Sequence, residues 1–239
     1  MTDSKILHLD MNCYFATLEQ QAYPNLRGKP IGIAGKGKGE RTVVCSASIE
    51  AKKLGVKSGM STWEAAKFCP SLIIIPATYQ RYIYTSQKIF QLLERFAPKV
   101  DVFSIDEAFL EFPTQGNSKL QTLSSKQIEN LKNQISKHWG LGLGSWDFNN
   151  PENRDYLDIA ITALQIKRLI KKEIGEWVTC SIGISYGKTL AKLASEMQKP
   201  DGLTVIKRED FTAIAKVTPI GELCGIGFRL TPRLNRMGI

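Results

Sequence analysis

Short apolar runs alternate along the chain with longer segments whose apolar positions recur every three or four residues. "KILHLD" (5–10) reads as a strand and "YFATLEQQA" (14–22) as a helix, with Asn12 available as its cap. "GKPIGIAG" and "RTVVCSAS" read as strands on either side of a flexible "KGKGE". Ser61 and Glu64 have capping-box spacing, so a helix is expected to start in "STWEAAKF". "LIIIPA" (72–77) reads as a buried strand, and residues 79–98 as a long amphipathic helix stopped by Pro98. "VDVFSI" and "AFLEF" then read as two strands meeting at Asp106 and Glu107.

Residues 113–160 hold a polar helix, "SSKQIENLKNQISKHW", and the Gly-, Asn- and Pro-rich loop "GLGLGSWDFNNPENRD". A further helix, "YLDIAITALQIKRLIKKEIG", leads into the strand "VTCSIGISYG". The basic helix "KTLAKLASEM", the short strand "LTVI" and a helix over 208–217 follow. There is no internal repeat. This mixture predicts an α+β or α/β protein, not a bundle or barrel.

Composition narrows the partners. The 239 residues suffice for one or two domains, and 43% apolar with 23% charged residues is ordinary for a globular protein. Lys and Arg outnumber Asp and Glu by 32 to 23, a formal charge of +9 that favours a polyanion such as nucleic acid. The five cysteines are scattered and form no C-x-x-C, which argues against zinc and for a reducing compartment. Two histidines, His8 and His138, leave little room for a His-based triad or metal site. "MTDSKILHLD" lacks the apolar centre of a secretory signal, and the apolar runs are too short to span a bilayer. The expectation is a soluble, cytoplasmic protein with no membrane partner.

The chemistry concentrates in "FSIDEAFLEF" (103–112), where two adjacent carboxylates interrupt an apolar run. In a continuous strand Asp106 and Glu107 would face opposite ways. A turn or bulge would let both lean toward one site, whereas a surface hairpin would simply solvate them. Asp10 ends another apolar strand, either as a helix-capping acid or as a third member of the site. Three carboxylates at strand ends suit a hard divalent ion such as Mg²⁺, and two such ions about 3.5–4 Å apart can serve phosphoryl transfer.

"LDMNCYFATLEQ" followed by "FSIDEAFLEF" resembles the two catalytic motifs of the Y-family DNA polymerases, in particular the DNA polymerase IV (DinB)-like branch. "EAKKLGVKSGMSTWEAAKFCPSLIIIP", "SIGISYGKTLAKLASEMQKPDGLTVI" and "LCGIGFRLTPRLNRMGI" match further in the same order. The resemblance implies a right-hand plan. A ferredoxin-like palm would take 1–12 and 78–187, small fingers 13–77, and a partial helical thumb with a helix-hairpin-helix 188–239. It implies that Asp10, Asp106 and Glu107, with the Met11 carbonyl, hold two Mg²⁺ ions, for which Mn²⁺ can substitute. The implied activity is low-fidelity, template-directed addition of deoxynucleotides to a primer past damaged bases, by a nucleoid-associated monomer. A sliding clamp would be reached only through a C-terminal region that the chain lacks, as it lacks the family's little finger.

The same resemblance makes Phe15 a steric gate under the sugar and Lys192 a triphosphate contact, with Lys188 four residues earlier adding positive potential. From the residues alone, Phe15 reads first as a core aromatic, and a solvated basic helix is the competing reading of "KTLAKLAS". "YGKT" is not a P-loop, since Ile182 stands where the first glycine is required. Ile49 and Lys52 replace the family's Tyr and Arg, and lysine neutralises phosphate without the planar fork of arginine. Gly225 and Gly227 would let backbone approach a DNA phosphate, with Arg229 and Arg233 adding sequence-independent attraction. Two other readings remain: a palm-type nucleotidyl cyclase working without a template, and a primer–template binding fragment with weak or no catalysis.

Overall fold

The computed structural model describes residues 4–35, 42–113 and 150–238. The "KGKGE" loop and the polar helix expected over 124–139 lie outside the described residues, as does most of the loop after it.

The elements run β1 (Lys5–Met11), α1 (Tyr14–Ala22), β2 (Ile31–Ala34), β3 (Val44–Ala47), α2 (Ile49–Lys53), α3 (Thr62–Phe68), β4 (Ile73–Pro76) and α4 (Tyr79–Leu93). β5 (Lys99–Val102), β6 (Glu107–Phe112), α5 (Pro151–Leu169), β7 (Cys180–Ser185), α6 (Lys188–Met197), β8 (Leu203–Val205), α7 (Phe211–Val217) and α8 (Thr231–Asn235) follow. Five strands form one sheet in the order β5-β6-β1-β7-β8, and β3-β2-β4 form a second. This is an α+β arrangement.

β1 is the hub. It pairs antiparallel with β6 on one side and β7 on the other, and all seven of its residues are buried. Strand parity divides its side chains between two environments. Leu7, Leu9 and Met11 enter the main core with α1, α4 and α5. Ile6, His8 and Asp10 face the other way, where Ile6 packs with Phe109 and with Ala191 of α6. The second sheet has a smaller core of Val44, Ala47, Ala51, Val56, Ala65 and Cys69.

Several elements depart from the sequence expectation. Asn12 does not cap α1; Cys13 occupies that position with φ 48° and no side-chain cap. The Asn12 amide instead bridges β7 and the 201 turn (below). β4 is a strand, but Ile73 and Ile74 are 37% and 41% exposed, because β4 is an edge strand of a small sheet. α4 ends at Leu93, well before Pro98, in a tightened turn where Arg95 N–H donates to the Leu92 carbonyl and Phe96 N–H to Leu93. α5 begins at Pro151 with Asn150 as its cap. Ser61 does cap α3, accepting from Glu64 N–H at 3.1 Å. Among the described residues, no helix is long and apolar enough to cross a membrane.

α6 lies directly on β7 because Gly183 has no side chain. A Cβ there would overlap the Ala191 carbonyl oxygen and the Ser195 amide, both backbone atoms of α6. Gly183→Ala is therefore expected to lower unfolding stability by about 1–3 kcal/mol, as overpacking does. Gly187→Ala, where a Cβ meets open space, should shift it by less than about 0.5 kcal/mol. Urea denaturation of the two variants checks the contrast.

Candidate active site

The register of β1 against β6 places Asp10 directly opposite Glu107. Side chains at registered antiparallel positions emerge on the same face about 5 Å apart, so two carboxylates are held side by side. Asp106 sits one residue earlier, in a bend rather than in the strand, and its carbonyl accepts from Met11 N–H at 3.0 Å. The Ser104 hydroxyl donates to the Asp106 carboxylate at 2.6 Å and fixes that bend. Because the bend breaks the strand alternation, Asp10, Asp106 and Glu107 all line one cavity of about 570 Å³.

The cavity lies between the two sheets. β1 and the start of α1 contribute Asp10 to Phe15, while Cys45 and Ser46 of β3 and Ile49, Lys52 and Lys53 of α2 close the opposite wall. Glu196, Lys199 and Pro200 come from the end of α6 and the turn after it. Phe15 packs flat on the Tyr82 ring, with centroids 4.3 Å apart and planes at 10°, and edge-on to Tyr79. Its ring is thus fixed from behind. The Tyr82 hydroxyl donates to the buried Glu19, which also binds Arg81.

Positive charge answers the carboxylates. Lys199 Nζ lies 2.9 Å from Asp10 Oδ2 and 2.6 Å from Glu196 Oε1. Lys192 of α6 donates to Glu107. Burial pushes the Asp10 carboxyl up to about 6 despite the pull of Lys199, and Glu107 adds to the rise. Burial opposes the Lys199 ammonium, yet Asp10 and Glu196 outweigh it and raise its pKa. Glu107 goes the other way: His8, 3.4 Å off, and the Lys192 ammonium hold its carboxyl well below the usual range. Since burial lowers the His8 pKa and keeps that ring neutral, the charge acting on Glu107 is assigned to Lys192.

The other residues singled out in the sequence are distributed more widely. Lys188 pairs with Asp101 on β5, and neither Lys188 nor Lys192 lines the cavity. Lys52 lines it beside Ile49. Gly225 (φ 91°), Gly227, Arg229 and Arg233 are all exposed in the C-terminal segment. There Thr231 and Gly221 pack α8 against the 220–222 turn. Lys199, Glu196 and Lys53 carry charge into the cavity and were not singled out. The signal for Lys199 was a lysine at the end of a basic helix, which by itself reads as solvated.

Metal fit can be judged from the donors. Among the described residues, no group of three His, Cys, Asp or Glu side chains is gathered closely enough to hold an ion. Asp10 and Glu107 are instead paired with lysine ammoniums, and Asp106 accepts from the Ser104 hydroxyl. The donor set nonetheless fits a hard divalent cation: three oxygen-bearing acids share one wall, and the positions where cationic charge is required are already taken by Lys192 and Lys199.

The pKa of Asp10 has a consequence for stability. An Asp raised from 3.8 to about 6 by folding keeps its proton longer in the folded state. The folded protein then binds the extra proton between those values, and stability falls as pH rises through that window. Above it the cost of the buried charge is fully present. Asp10→Asn should therefore raise the unfolding free energy at about pH 7.5 by about 1–3 kcal/mol and flatten the decline at lower pH. Urea unfolding from about pH 4 to 8 reads both effects.

The model of the impB/mucB/samB family matches residues 9–196. "DNA polymerase IV" of Pelotomaculum thermopropionicum is 36% identical over 234 residues, covering 98% of this chain and 48% of that protein. "DNA polymerase IV 1" of Bacillus subtilis is 31% identical over 234 residues, with 98% and 47% covered. Among solved structures, DinB from Sulfolobus solfataricus superposes with TM-score 0.71 at 30% identity, covering 98% of this chain and 57% of that one. A chimeric Y-family DNA polymerase reaches TM-score 0.73 at 29% identity, with 98% and 58% covered. The chain thus spans about half the length of the curated relatives it matches.

Proposed function

The chain belongs to the impB/mucB/samB family, whose solved relatives are Y-family DNA polymerases, and from that membership we propose that it carries the catalytic part of a translesion DNA polymerase. The observation that carries the reading is the three-carboxylate wall. Asp10 opposite Glu107, with Asp106 in the adjoining bend, shares one cavity with Lys52 and Lys53 of α2. On this reading residues 1–12 and 78–187 form the palm, 13–77 the fingers, and 188–239 part of the thumb.

The substrates proposed are a deoxynucleoside triphosphate and primer–template DNA. Asp10, Asp106 and Glu107, with the Met11 carbonyl, would hold Mg²⁺, or Mn²⁺ in its place. When bound, the metal would supply acidification of the primer 3′-hydroxyl and neutralisation of the phosphates. Lys52, Lys53 and Lys199 would bind the triphosphate as point charges. Phe15, backed by Tyr82, would lie under the sugar and collide with a 2′-hydroxyl. Glu107, whose carboxylate stays ionised beside Lys192, would help position the primer hydroxyl, and the proton of that hydroxyl would pass to solvent. A bond forms between the primer 3′-oxygen and the α-phosphorus, the α–β bridging bond breaks, and pyrophosphate leaves. Arg229, Arg233 and the backbone at Gly225 and Gly227 would meet the DNA backbone without reading sequence.

Extension of a labelled primer in Mg²⁺ tests the proposal. Template-dictated products are expected from this chain, and Asp106→Asn should cut the rate at least about a hundredfold. Equal extension by both proteins would remove Asp106 from catalysis, and product without a template would favour a cyclase-type enzyme.

Lys52→Arg restores a bidentate donor opposite the carboxylates and should lower the KM for dNTP by about threefold to tenfold. Steady-state insertion kinetics measure it, and an unchanged KM would take Lys52 off the triphosphate.

A further inference from the structure

Lys199 reaches Asp10 from a turn, and turns do not hold a charged side chain in place unaided. Residues 198–202 connect α6 to β8, and Asp201 adopts φ 59°, a left-handed conformation that a non-glycine residue needs support to keep. The support comes from underneath. Lys167 of α5 is only 6% exposed, and its Nζ donates to the carbonyls of Asp201 (2.8 Å), Gly202 (3.2 Å) and Cys180 (2.5 Å). The same ammonium pairs with Asp201 Oδ1 at 2.7 Å. The Asp201 N–H is in turn anchored to Asn12 Oδ1 at 2.8 Å, beside the Asp10 strand end. A buried ammonium is costly unless its protons are satisfied, and here two carbonyls of the turn and the Cys180 carbonyl of β7 satisfy them.

We infer that Lys167 is a positioning residue, which acts through the 199–202 turn to hold the Lys199 ammonium at the nucleotide cavity. The inference deepens the polymerase proposal and rests on its reading of that cavity as a triphosphate site. Lys167 itself does not line the cavity, so it touches neither substrate nor reacting atoms. Its removal frees the turn, and the cost falls on nucleotide binding before chemistry.

The test uses the full chain, a fluorescent dNTP with Mg²⁺, and single-nucleotide insertion kinetics. Lys167→Met should weaken nucleotide binding and raise KM by about tenfold, as loss of one charge-assisted contact does, with kcat changed less than about twofold. Lys167→Arg should recover most of the loss. In a Lys199→Met background, Lys167→Met should add nothing further, because the two act through one contact. A general loss of folding would lower kcat and the active fraction in every background and would not be rescued by Arg. Should the methionine variant fail to fold, Lys167→Gln, which keeps one donor group, takes its place in the same cycle. Unchanged KM, or a full additive effect in the Lys199→Met background, overturns the inference. A parent chain that binds no dNTP overturns the reading of the cavity itself, and is recognised before any variant is made.

Discussion

Two carboxylates held opposite one another on neighbouring strands are the constraint around which this molecule is organised. The register that puts Asp10 beside Glu107 is not free to change. A slip of one residue would turn Leu7, Leu9 and Met11 out of the core and His8 and Asp10 into it. Hydrophobic burial along β1 therefore enforces a like-charge contact that is unfavourable by itself. The rest of the structure near the site supplies what makes the contact tolerable.

The compensation comes through α6. Ala191 and the bare backbone at Gly183 let that helix lie on β7, over the polar face of β1. Lys192 then descends on Glu107, and the turn at the helix end brings Lys199 to Asp10. The two carboxylates end in different states as a result. Glu107 is held ionised, whereas Asp10, deeper and shared with Glu196 for the same lysine, sits near the edge of protonation. A site arranged in this way has its acids positioned before any substrate arrives, and has cations at hand that can turn to a phosphate.

Much of this was legible in the sequence where a residue contradicted its surroundings. Asp10, Asp106 and Glu107 stand out because each interrupts an apolar run, and the fold places all three on one cavity. The strands and helices with strong periodicity fall where the pattern put them, β1, α1 and α6 among them. Residues that agree with their surroundings carried no such signal. Lys199 follows a basic helix and Lys167 sits among other lysines, yet each has its partner at a distance in the chain: Lys199 reaches Asp10, and Lys167 reaches Asp201. Asn12 shows the reverse error: local spacing suggested a cap, but its amide is drawn to Ser181 and Asp201 across the sheet. β4 read as buried because three isoleucines in a row look like a central strand, and only the strand order shows it at an edge.

Charge along the cavity wall also bears on how a nucleotide would enter under the proposed reading. Asp10, Asp106, Glu107 and Glu196, with Lys199 paired among them, share the cavity with Lys52 and Lys53. With Asp10 ionised, these side chains carry slightly more negative than positive charge. A triphosphate entering alone would meet a wall that does not attract it overall, and it would compete with Asp10 and Glu196 for Lys199. Accompanied by divalent cations, it would bring the charge that the carboxylates lack, and Lys199 would be free to turn to the phosphates. On the proposed reading, nucleotide binding and exchange of counter-ions at Asp10 would be one event. The lysine that pairs with Asp10 in the substrate-free site would become part of the grip on the substrate.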